Sequence, residues 1–216
     1  MSLFLHYHPL ASFCWKVLIA LYEHRIPFTP TIVDLGDPDA RAEFAALWPM
    51  AKMPVLEDRG RGRVIPETSI IIDYLESHHA ATPALIPADR ERRREVLLWD
   101  RIFDNYVQAP MQKIVIDRIR PEGERDAYGV AEARALLATA LAMVDGHAAD
   151  KHWATGEDFT IADCAAAPAL FYADKVMPFA AAHPHAFALL ERLKSRPSFA
   201  RVLDEAAPYF QYFPGG

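Results

Sequence analysis

Cysteine is scarce in this sequence, which contains two, Cys14 and Cys164, among 216 residues. Two cysteines do not provide the disulfide framework that stabilises many small secreted domains. Residues 1–6 lack the basic segment and the cleavage site of a secretory signal peptide. No uninterrupted apolar run reaches the ~20 residues that a helix needs to cross a bilayer. These absences predict a soluble, cytoplasmic protein with no membrane partner.

Positive charge is also in deficit. Lysine and arginine total 23 against 29 aspartate and glutamate residues, which gives a net charge of −6 and a pI near 5.8. Such a balance argues against nucleic acid or an acidic membrane surface as the principal partner. The arginines of residues 90–94 alternate with Glu91 and Glu95, a pattern typical of a solvated helix face. We therefore expect no nucleic-acid partner.

Metal-ligating side chains do not recur at the spacing that a metal site needs. His6 and His8 form a His-x-His pair, but no third ligand follows at a spacing typical of zinc sites. A pair of histidines at the end of a strand is more often structural than metal-binding. We expect no metal cofactor.

The first third of the chain alternates strand and helix patterns. Residues 3–7 alternate apolar and polar positions with the period of two that indicates a strand, and residues 13–24 are apolar nearly all round, as in a helix buried against a sheet. Further elements are predicted over 26–35 (strand), 38–47 (helix), 53–58 and 64–66 (strands), and 69–79 (helix). The order βαβαββα is that of an α/β thioredoxin-like domain, which we place at residues 1–79.

The rest of the chain carries helical patterns alone. Residues 80–89 contain two prolines among small residues and are typical of a linker. From residue 90 onward, apolar residues recur at spacings of three and four, which predicts an all-α domain over residues 90–216. Thr160 and Asp163 have the spacing of a capping box, so we expect a buried helix to begin there.

Residues 53–75 combine two features that suit a small acidic peptide. Pro54 opens a predicted strand, where its missing N–H costs no ladder bond. With a cis Met53–Pro54 bond, the N–H and C=O of Met53 would face away from the sheet and could pair with an extended peptide. Thr68 is predicted to cap the helix that begins near Ser69, whose unpaired N–H groups attract an anion.

This stretch resembles the glutathione-binding half of glutathione transferases, in which a strand opens on a cis-proline and a Glu/Gln-Ser-x-Ala-Ile-x-x-Tyr-Leu run follows. Residues 67–75 read Glu-Thr-Ser-Ile-Ile-Ile-Asp-Tyr-Leu, with Thr for Ser and Ile for Ala. The upstream family run, Asn-Pro-x-Gly-Lys-Val-Pro, stands at residues 48–54 as Trp-Pro-Met-Ala-Lys-Met-Pro. The resemblance covers essentially the whole chain. It implies a cytosolic, bacterial-like member nearest to the theta- and zeta-like serine classes.

The resemblance also implies how a thiol would be activated. In theta-, zeta- and delta-like transferases a Ser stands four positions before a basic residue in the first helix, as Ser12 stands before Lys16. A hydroxyl hydrogen bond and a helix N-terminus lower the pKa of a bound thiol, ~8.5 when free, and make the sulfur nucleophilic. The alternative for Ser12 is a helix cap alone.

Cys14 is the rival candidate for the catalytic position. Beta- and omega-like members use a cysteine near this turn to form a mixed disulfide with glutathione. The alternative is that Cys14 lies inside the first helical turn and packs in the core as a small apolar residue. Because residues two apart on a helix point ~200° apart, Ser12 and Cys14 cannot both face the ligand, and we favour Ser12.

Glutathione is the expected co-substrate. Glu67 would bind the ammonium of its γ-glutamyl group, Thr68 the neighbouring carboxylate, and Lys52 or Lys16 the glycine carboxylate. The full set of glutathione-binding residues that the resemblance implies is Lys52, Met53, Pro54, Glu67 and Thr68.

A second pocket, for the electrophile, is expected in the helical domain. Its predicted residues are Phe103, Tyr106, Met111 and Gln112. Pro110 would bend or end the helix and turn these side chains toward the first domain. For Phe103 and Met111, ordinary core packing is an equal alternative.

The function that the resemblance implies is conjugation of glutathione to a small hydrophobic electrophile, a detoxification reaction. Most of the family are homodimers, and two-fold dimers are the commonest assembly, so we expect a homodimer. Three alternatives stay open: thiol transfer through Cys14, isomerisation or dehalogenation with glutathione as cofactor, and a non-catalytic relative that keeps the fold for binding or regulation.

Overall fold

The computed structural model describes residues 2–79 and 84–214, and its first part is a mixed four-stranded sheet flanked by three helices. The elements are β1 (Leu3–Tyr7), α1 (Ser12–Glu23), β2 (Thr29–Ile32), α2 (Pro38–Leu47), β3 (Val55–Asp58), β4 (Arg63–Pro66) and α3 (Thr68–His78). The strand order is β2-β1-β3-β4, with β2 parallel and β3 antiparallel to β1. The predicted thioredoxin-like order βαβαββα is confirmed.

Strand β2 is shorter than the predicted 26–35 and comprises Thr29–Ile32. Pro27 precedes it and Pro30 lies within it, opposite Leu5 of β1. A proline has no N–H to donate to a ladder, so it is confined to strand ends and to the edge of a sheet. The two prolines therefore limit β2 to a short edge strand.

Strands β3 and β4 form the antiparallel pair that the sequence predicts. Leu56 lies opposite Ile65, and the connecting turn contains Gly62 with φ +62°, a left-handed conformation that favours glycine. The Met53–Pro54 bond before β3 is cis.

The second part of the chain is helical, as predicted. Its elements are α4 (Arg90–Ile102), a π-helical segment (Phe103–Gln108), α5 (Ala109–Arg118), a 3₁₀ turn (Glu122–Glu124), α6 (Ala127–Ala148), α7 (Ile161–Val176), α8 (Pro184–Ser195), α9 (Pro197–Ala206) and a second 3₁₀ turn (Ala207–Tyr212). Within 84–214, extended pairing is limited to one isolated bridge between Trp153 and Gly156. Of the predicted linker 80–89, residues 80–83 lie outside the described residues, and the domain limits at 79 and 90 stay predictions.

The capping box at the start of α7 is present. The carboxylate of Asp163 accepts hydrogen bonds from the backbone N–H of Thr160 (2.9 Å) and from the N–H of Ala154 (2.7 Å). Asp163 is fully buried, and this burial raises its pKa to about 6. The box therefore ties the loop before α7 to the first turn of the helix.

The helix that contains Pro110 does not end there. Proline lacks the N–H that the helical ladder needs and clashes with the carbonyl four residues earlier. Here the preceding six residues, Phe103–Gln108, form π-helical turns, and Pro110 is the second residue of α5. Backbone hydrogen bonds in a π-helix join residues five apart instead of four. The switch from this pattern back to the α-helical one therefore lies beside Pro110, where the α-helical pattern would lack a donor.

Helix α1 lies between the sheet and the helical part of the chain. It packs against α3 on one side and against α7 and α9 on the other, and residues from Cys14 to Leu21 are buried. Trp15 is at the centre of an aromatic cluster with Phe171, Tyr172 and Phe199. The predicted all-round apolar helix is thus buried on more than one face.

Helix α6 is long and apolar enough to cross a bilayer when judged by length and composition alone. It nevertheless packs against α5 and α8 and buries Leu137 and Leu141 in the core. The carboxylate of Asp145 accepts the N–H groups of His185 and Ala186 at the start of α8, at 2.7 and 3.0 Å. Its contacts are those of a helix in a bundle.

Candidate functional site

The turn between β1 and α1 presents Ser12 at the interface of the two parts of the chain. Ser12 is the first residue of α1, Ala11 holds the N-cap position, and no side chain caps the helix. The Ser12 Oγ accepts a hydrogen bond from Nε2 of Gln108, which is buried in the π-helical segment. Because Gln108 donates, the hydroxyl proton of Ser12 is free to be donated to a ligand. The capping alternative for Ser12 is therefore not observed.

Two further hydrogen bonds fix this turn. Tyr172 of α7 donates its hydroxyl to the carbonyl of Leu10 (2.9 Å), and Trp15 donates its indole N–H to the carbonyl of Pro9 (2.6 Å). Gln108 donates the third hydrogen bond to this turn, to Ser12. Two of the three donors, Gln108 and Tyr172, therefore come from the helical part of the chain. The position of Ser12 is thus set by both parts of the structure.

Cys14 is fully buried. Burial raises the pKa of its thiol to about 12, because the apolar surroundings disfavour a thiolate. A reactive cysteine needs the opposite environment, partly exposed and electropositive. The geometry matches the structural alternative for Cys14.

The prediction that Lys16 could contact a ligand carboxylate is wrong. Lys16 has no exposed surface, and its Nζ lies 2.5 Å from Asp100 Oδ1, 2.7 Å from Asp104 Oδ2 and 2.9 Å from Ser69 Oγ. Arg101 also contacts both aspartates. Burial raises the pKa of Asp104, and the nearby Lys16 ammonium opposes that rise. Helices α1, α3 and α4 meet at this buried ionic cluster.

A cavity of about 190 Å³ lies beside the cluster and is lined by all five residues of the predicted glutathione-binding set. Glu67, the N-cap residue of α3, has φ 68° and ψ 118°, a rare conformation for a residue other than glycine. Strained residues of this kind concentrate at binding and catalytic sites. The lining residues are Phe13, Trp48, Lys52, Met53, Pro54, Glu67, Thr68, Arg101, Asp104 and Asn105.

Thr68 is not the helix cap that the sequence predicts. It is the first residue of α3 and is buried at the cavity wall, and no side-chain capping bond is present at this helix. The left-handed backbone of Glu67 starts the helix one residue earlier than expected. The unpaired N–H groups of the first turn of α3 nevertheless follow Glu67 directly, so they lie at the end of the cavity that Glu67 and Thr68 line.

A second cavity, of about 640 Å³, adjoins the first and shares Phe13, Lys52 and Met53 with it. Ser12 lines this second cavity. Its other residues are His8, Leu10, Ala11, Val33, Asp34, Leu35, Gly36, Ala51, Gln112 and Ile116. A molecule that extends along Met53 would therefore run from Thr68 toward Ser12.

The predicted electrophile pocket needs correction. Phe103 and Met111 are 1% and 2% exposed and belong to the hydrophobic core, so neither lines the two cavities. Tyr106 is half-exposed and also lines neither. Gln112 does line the second cavity, next to Ile116. The amphipathic pattern identified the helix, but most of its predicted residues face the helical core.

Several site residues on α4 and the π-helical segment are absent from the sequence-based prediction. They are Arg101, Asp104 and Asn105 in the first cavity and Gln108 beside Ser12. Asp100, Asp104 and Gln108 recur every four residues, the spacing of one helix face, and this polar stripe was the available signal. Over residues 2–79 and 84–214, no group of three or more His, Cys, Asp or Glu side chains is arranged to hold a metal ion.

Family models match both parts of the chain. Residues 5–83 match the glutathione S-transferase N-terminal domain, and residues 127–205 match the glutathione S-transferase C-terminal domain. Among curated proteins, FtsZ-localized protein A of Caulobacter vibrioides is 31% identical over 94% of this chain and 92% of its own length.

Solved structures agree in fold over nearly the whole chain. A glutathione S-transferase of Methylobacillus flagellatus, solved with glutathione bound, superposes with a TM-score of 0.86 at 25% identity, covering 93% of this chain and 98% of the other. A glutathione S-transferase of Methylobacterium radiotolerans, in complex with glutathione sulfonate, gives 0.82 at 28% identity over 94% of each chain.

Proposed function

Since this chain belongs to the glutathione S-transferase family, we propose that it binds glutathione across the two adjoining cavities and activates the thiol at Ser12 for attack on a small hydrophobic electrophile. The observation that carries the proposal is the shared wall of the cavities. Phe13, Lys52 and Met53 line both, with Thr68 at one end and Ser12 at the other. Glutathione extended along Met53 would place its γ-glutamyl carboxylate near Thr68 and its sulfur near Ser12.

The charges of the first cavity suit the γ-glutamyl end of glutathione. Glu67 and Asp104 supply carboxylates for its ammonium group, while Arg101 and the N-terminus of α3 attract its carboxylate. Lys52 is exposed and lines both cavities, and its ammonium would bind the glycine carboxylate. Opposite charges at two ends would fix the direction in which the peptide lies.

Activation of the thiol would depend on Ser12. Gln108 donates to Ser12 Oγ, which leaves the serine O–H to donate to sulfur. A hydrogen bond to the charged form and the N-terminus of α1 both lower the pKa of a thiol. A larger fraction of bound than of free glutathione would then be thiolate at neutral pH.

The direct test is a glutathione titration followed by the ultraviolet absorbance of the thiolate. We expect absorbance to rise on binding at neutral pH and to titrate with a pKa below ~8.5, the value of a free thiol. A panel of chlorinated aromatics, epoxides, hydroperoxides and mixed disulfides would then identify the electrophile. Measuring whether glutathione is consumed separates conjugation from isomerisation, in which it returns unchanged.

Thr68→Val tests the γ-glutamyl end. Thr68 is buried at the cavity wall, and valine has the same shape but no hydroxyl, so a ligand carboxylate would lose a partner. We expect glutathione binding to weaken by about 1–3 kcal/mol in calorimetry. Thr139→Val, on the exposed face of α6, is the matched control and should bind normally. Unchanged affinity in Thr68→Val would count against this site.

We also propose that the protein is a homodimer. Ile70 on α3 and Leu98 on α4 are 58% and 57% exposed, and Asp73 of α3 pairs with Arg93 of α4 (3.3 Å), so the two helices present one surface. Leu98→Arg should shift the chain toward monomer in sedimentation at micromolar concentration, because an unpaired charge in an interface is costly. Leu136→Arg, on the exposed face of α6, is the control. A wild type that sediments only as monomer excludes the dimer.

A binding or regulatory role is the second candidate, and the similarity to FtsZ-localized protein A favours it. Such a protein would leave glutathione unbound or its thiol protonated, so the absorbance titration decides between the two. Thiol transfer through Cys14 has less support because that thiol is buried and has a raised pKa. For either role we propose a cytoplasmic location and, for the enzyme, detoxification as its use.

A further inference from the structure

His8 follows β1 at the wall of the second cavity, the same cavity that Ser12 lines. Its Nδ1 accepts the backbone N–H of Leu10 at 3.2 Å. A backbone N–H can only donate, so Nδ1 carries no proton and the ring proton is on Nε2. Burial lowers the pKa of His8 and so favours the neutral ring. The nearby Asp34 carboxylate has the opposite, smaller effect.

The Nε2–H of His8 has no hydrogen-bond acceptor in the part of the chain that the structure describes. Two residues contact the ring, one from the C-terminal 3₁₀ turn and one from the turn after β1. Tyr209 meets it edge-on with 6.1 Å between ring centroids, and Leu10 fixes its Nδ1. His8 therefore presents a fixed, neutral N–H donor at the wall of the cavity where an electrophile would lie.

We propose that His8 donates its Nε2–H to an oxygen of the electrophile that gains negative charge as the sulfur attacks. This inference rests on the proposed function. The electrophile would be a compound with a carbonyl oxygen conjugated to the reacting carbon. The rest of the cavity suits an apolar body, since Leu10, Leu35 and Ile116 line it.

The chemistry needs no further reactant. The thiolate sulfur forms a bond to the β-carbon of an α,β-unsaturated carbonyl, and the π electrons of the double bond move to give an enolate oxygen. His8 keeps its proton and stabilises that oxygen by a hydrogen bond. The thiol releases one proton to solvent when glutathione binds. Solvent then returns one proton, to the α-carbon of the enolate, so no net proton is gained or lost. A donor fixed in advance stabilises developing charge without reorganisation.

Two substitutions distinguish the role of His8 as a hydrogen-bond donor from its role in holding the turn. In His8→Asn, the side-chain oxygen can still accept the N–H of Leu10, since asparagine commonly bonds the backbone two residues on, but the donor on the cavity side is lost. In His8→Gln, the longer amide can place an N–H near the original Nε2. Thermal unfolding and glutathione binding of both variants report whether the turn stays intact.

The measurement is the ratio of two turnover rates, one with an enone, benzylideneacetone, and one with benzyl chloride, in which no oxygen gains charge. We expect His8→Asn to lower the enone to benzyl chloride ratio about tenfold, less than for a donor in a closed oxyanion site. His8→Gln should recover part of that ratio. An unchanged ratio in His8→Asn overturns the inference alone.

Two other outcomes also decide. A wild type that ionises bound glutathione but does not accelerate enone addition overturns the role of His8 and leaves the proposed thiol activation standing. A wild type that shows no thiolate absorbance on glutathione addition overturns both the proposed function and this inference.

Discussion

Ser12→Ala is expected to raise the pKa of bound glutathione and to lower conjugation about 10²-fold or more. The serine hydroxyl is the donor that Gln108 leaves free, and loss of one such donor to a developing anion costs a few kcal/mol. The thiolate absorbance of the complex, followed against pH, gives the pKa, and steady-state turnover with one electrophile gives the rate.

Cys14→Ala is the matched control, two residues along the same helix. It removes a fully buried thiol, so we expect lower stability and little change in turnover. The reverse result, in which activity survives Ser12→Ala and disappears in Cys14→Ala, would identify a thiol-transfer enzyme. It would also require Cys14 to leave the core, where its thiol has a pKa of about 12.

Lys16→Met is expected to lower the free energy of unfolding by about 3–5 kcal/mol. Methionine fits the space of the lysine stem, but Asp100 and Asp104 would be left with one buried cation fewer, and an uncompensated buried charge is strongly destabilising. Urea unfolding measures the change. Lys194→Met, which removes a surface pair with Glu191, is the control and should cost less than about 1 kcal/mol.

The origin of the Lys16 effect can be separated from simple packing. Replacing Lys16, Asp100 and Asp104 together by apolar residues of similar size removes the charges along with their desolvation cost. We expect this triple variant to recover much of the stability lost in Lys16→Met. A loss in Lys16→Met no larger than that of Lys194→Met would show that Arg101, which also contacts both aspartates, suffices to neutralise them.

Local signals in the sequence predicted much of the fold. Helix α2 begins and ends where the pattern places it, because Asp37 caps it and Pro38 suits its first turn. The Thr160–Asp163 box is likewise complete within four residues. The predicted strand 26–35 is longer than the observed β2, because Pro27 and Pro30 lack the N–H groups that a longer ladder needs. Capping residues and prolines act on backbone groups within a few residues, so their effects can be predicted from the sequence without knowledge of the tertiary structure.

The site residues depended on contacts that a single sequence does not show. Lys16 bonds Asp104, 88 residues away, and Gln108 bonds Ser12, 96 residues away. A lysine in a helix is normally solvated, so nothing local indicated that Lys16 is buried. Phe103 and Met111 were indistinguishable from pocket residues because an apolar stripe gives the same pattern in a core and in a cavity wall.

The burial of α1 on more than one face has a consequence for how the molecule folds. The sequence predicts a domain boundary near residue 79. Trp15 precedes this boundary, but the aromatic rings that pack around it follow the boundary: Phe171, Tyr172 and Phe199. A fragment that ended there would expose this tryptophan and the buried ammonium of Lys16 to water. We therefore expect the two parts of the chain to unfold together, and the turn that carries Ser12 to take its shape only when α7 and α9 have packed against α1.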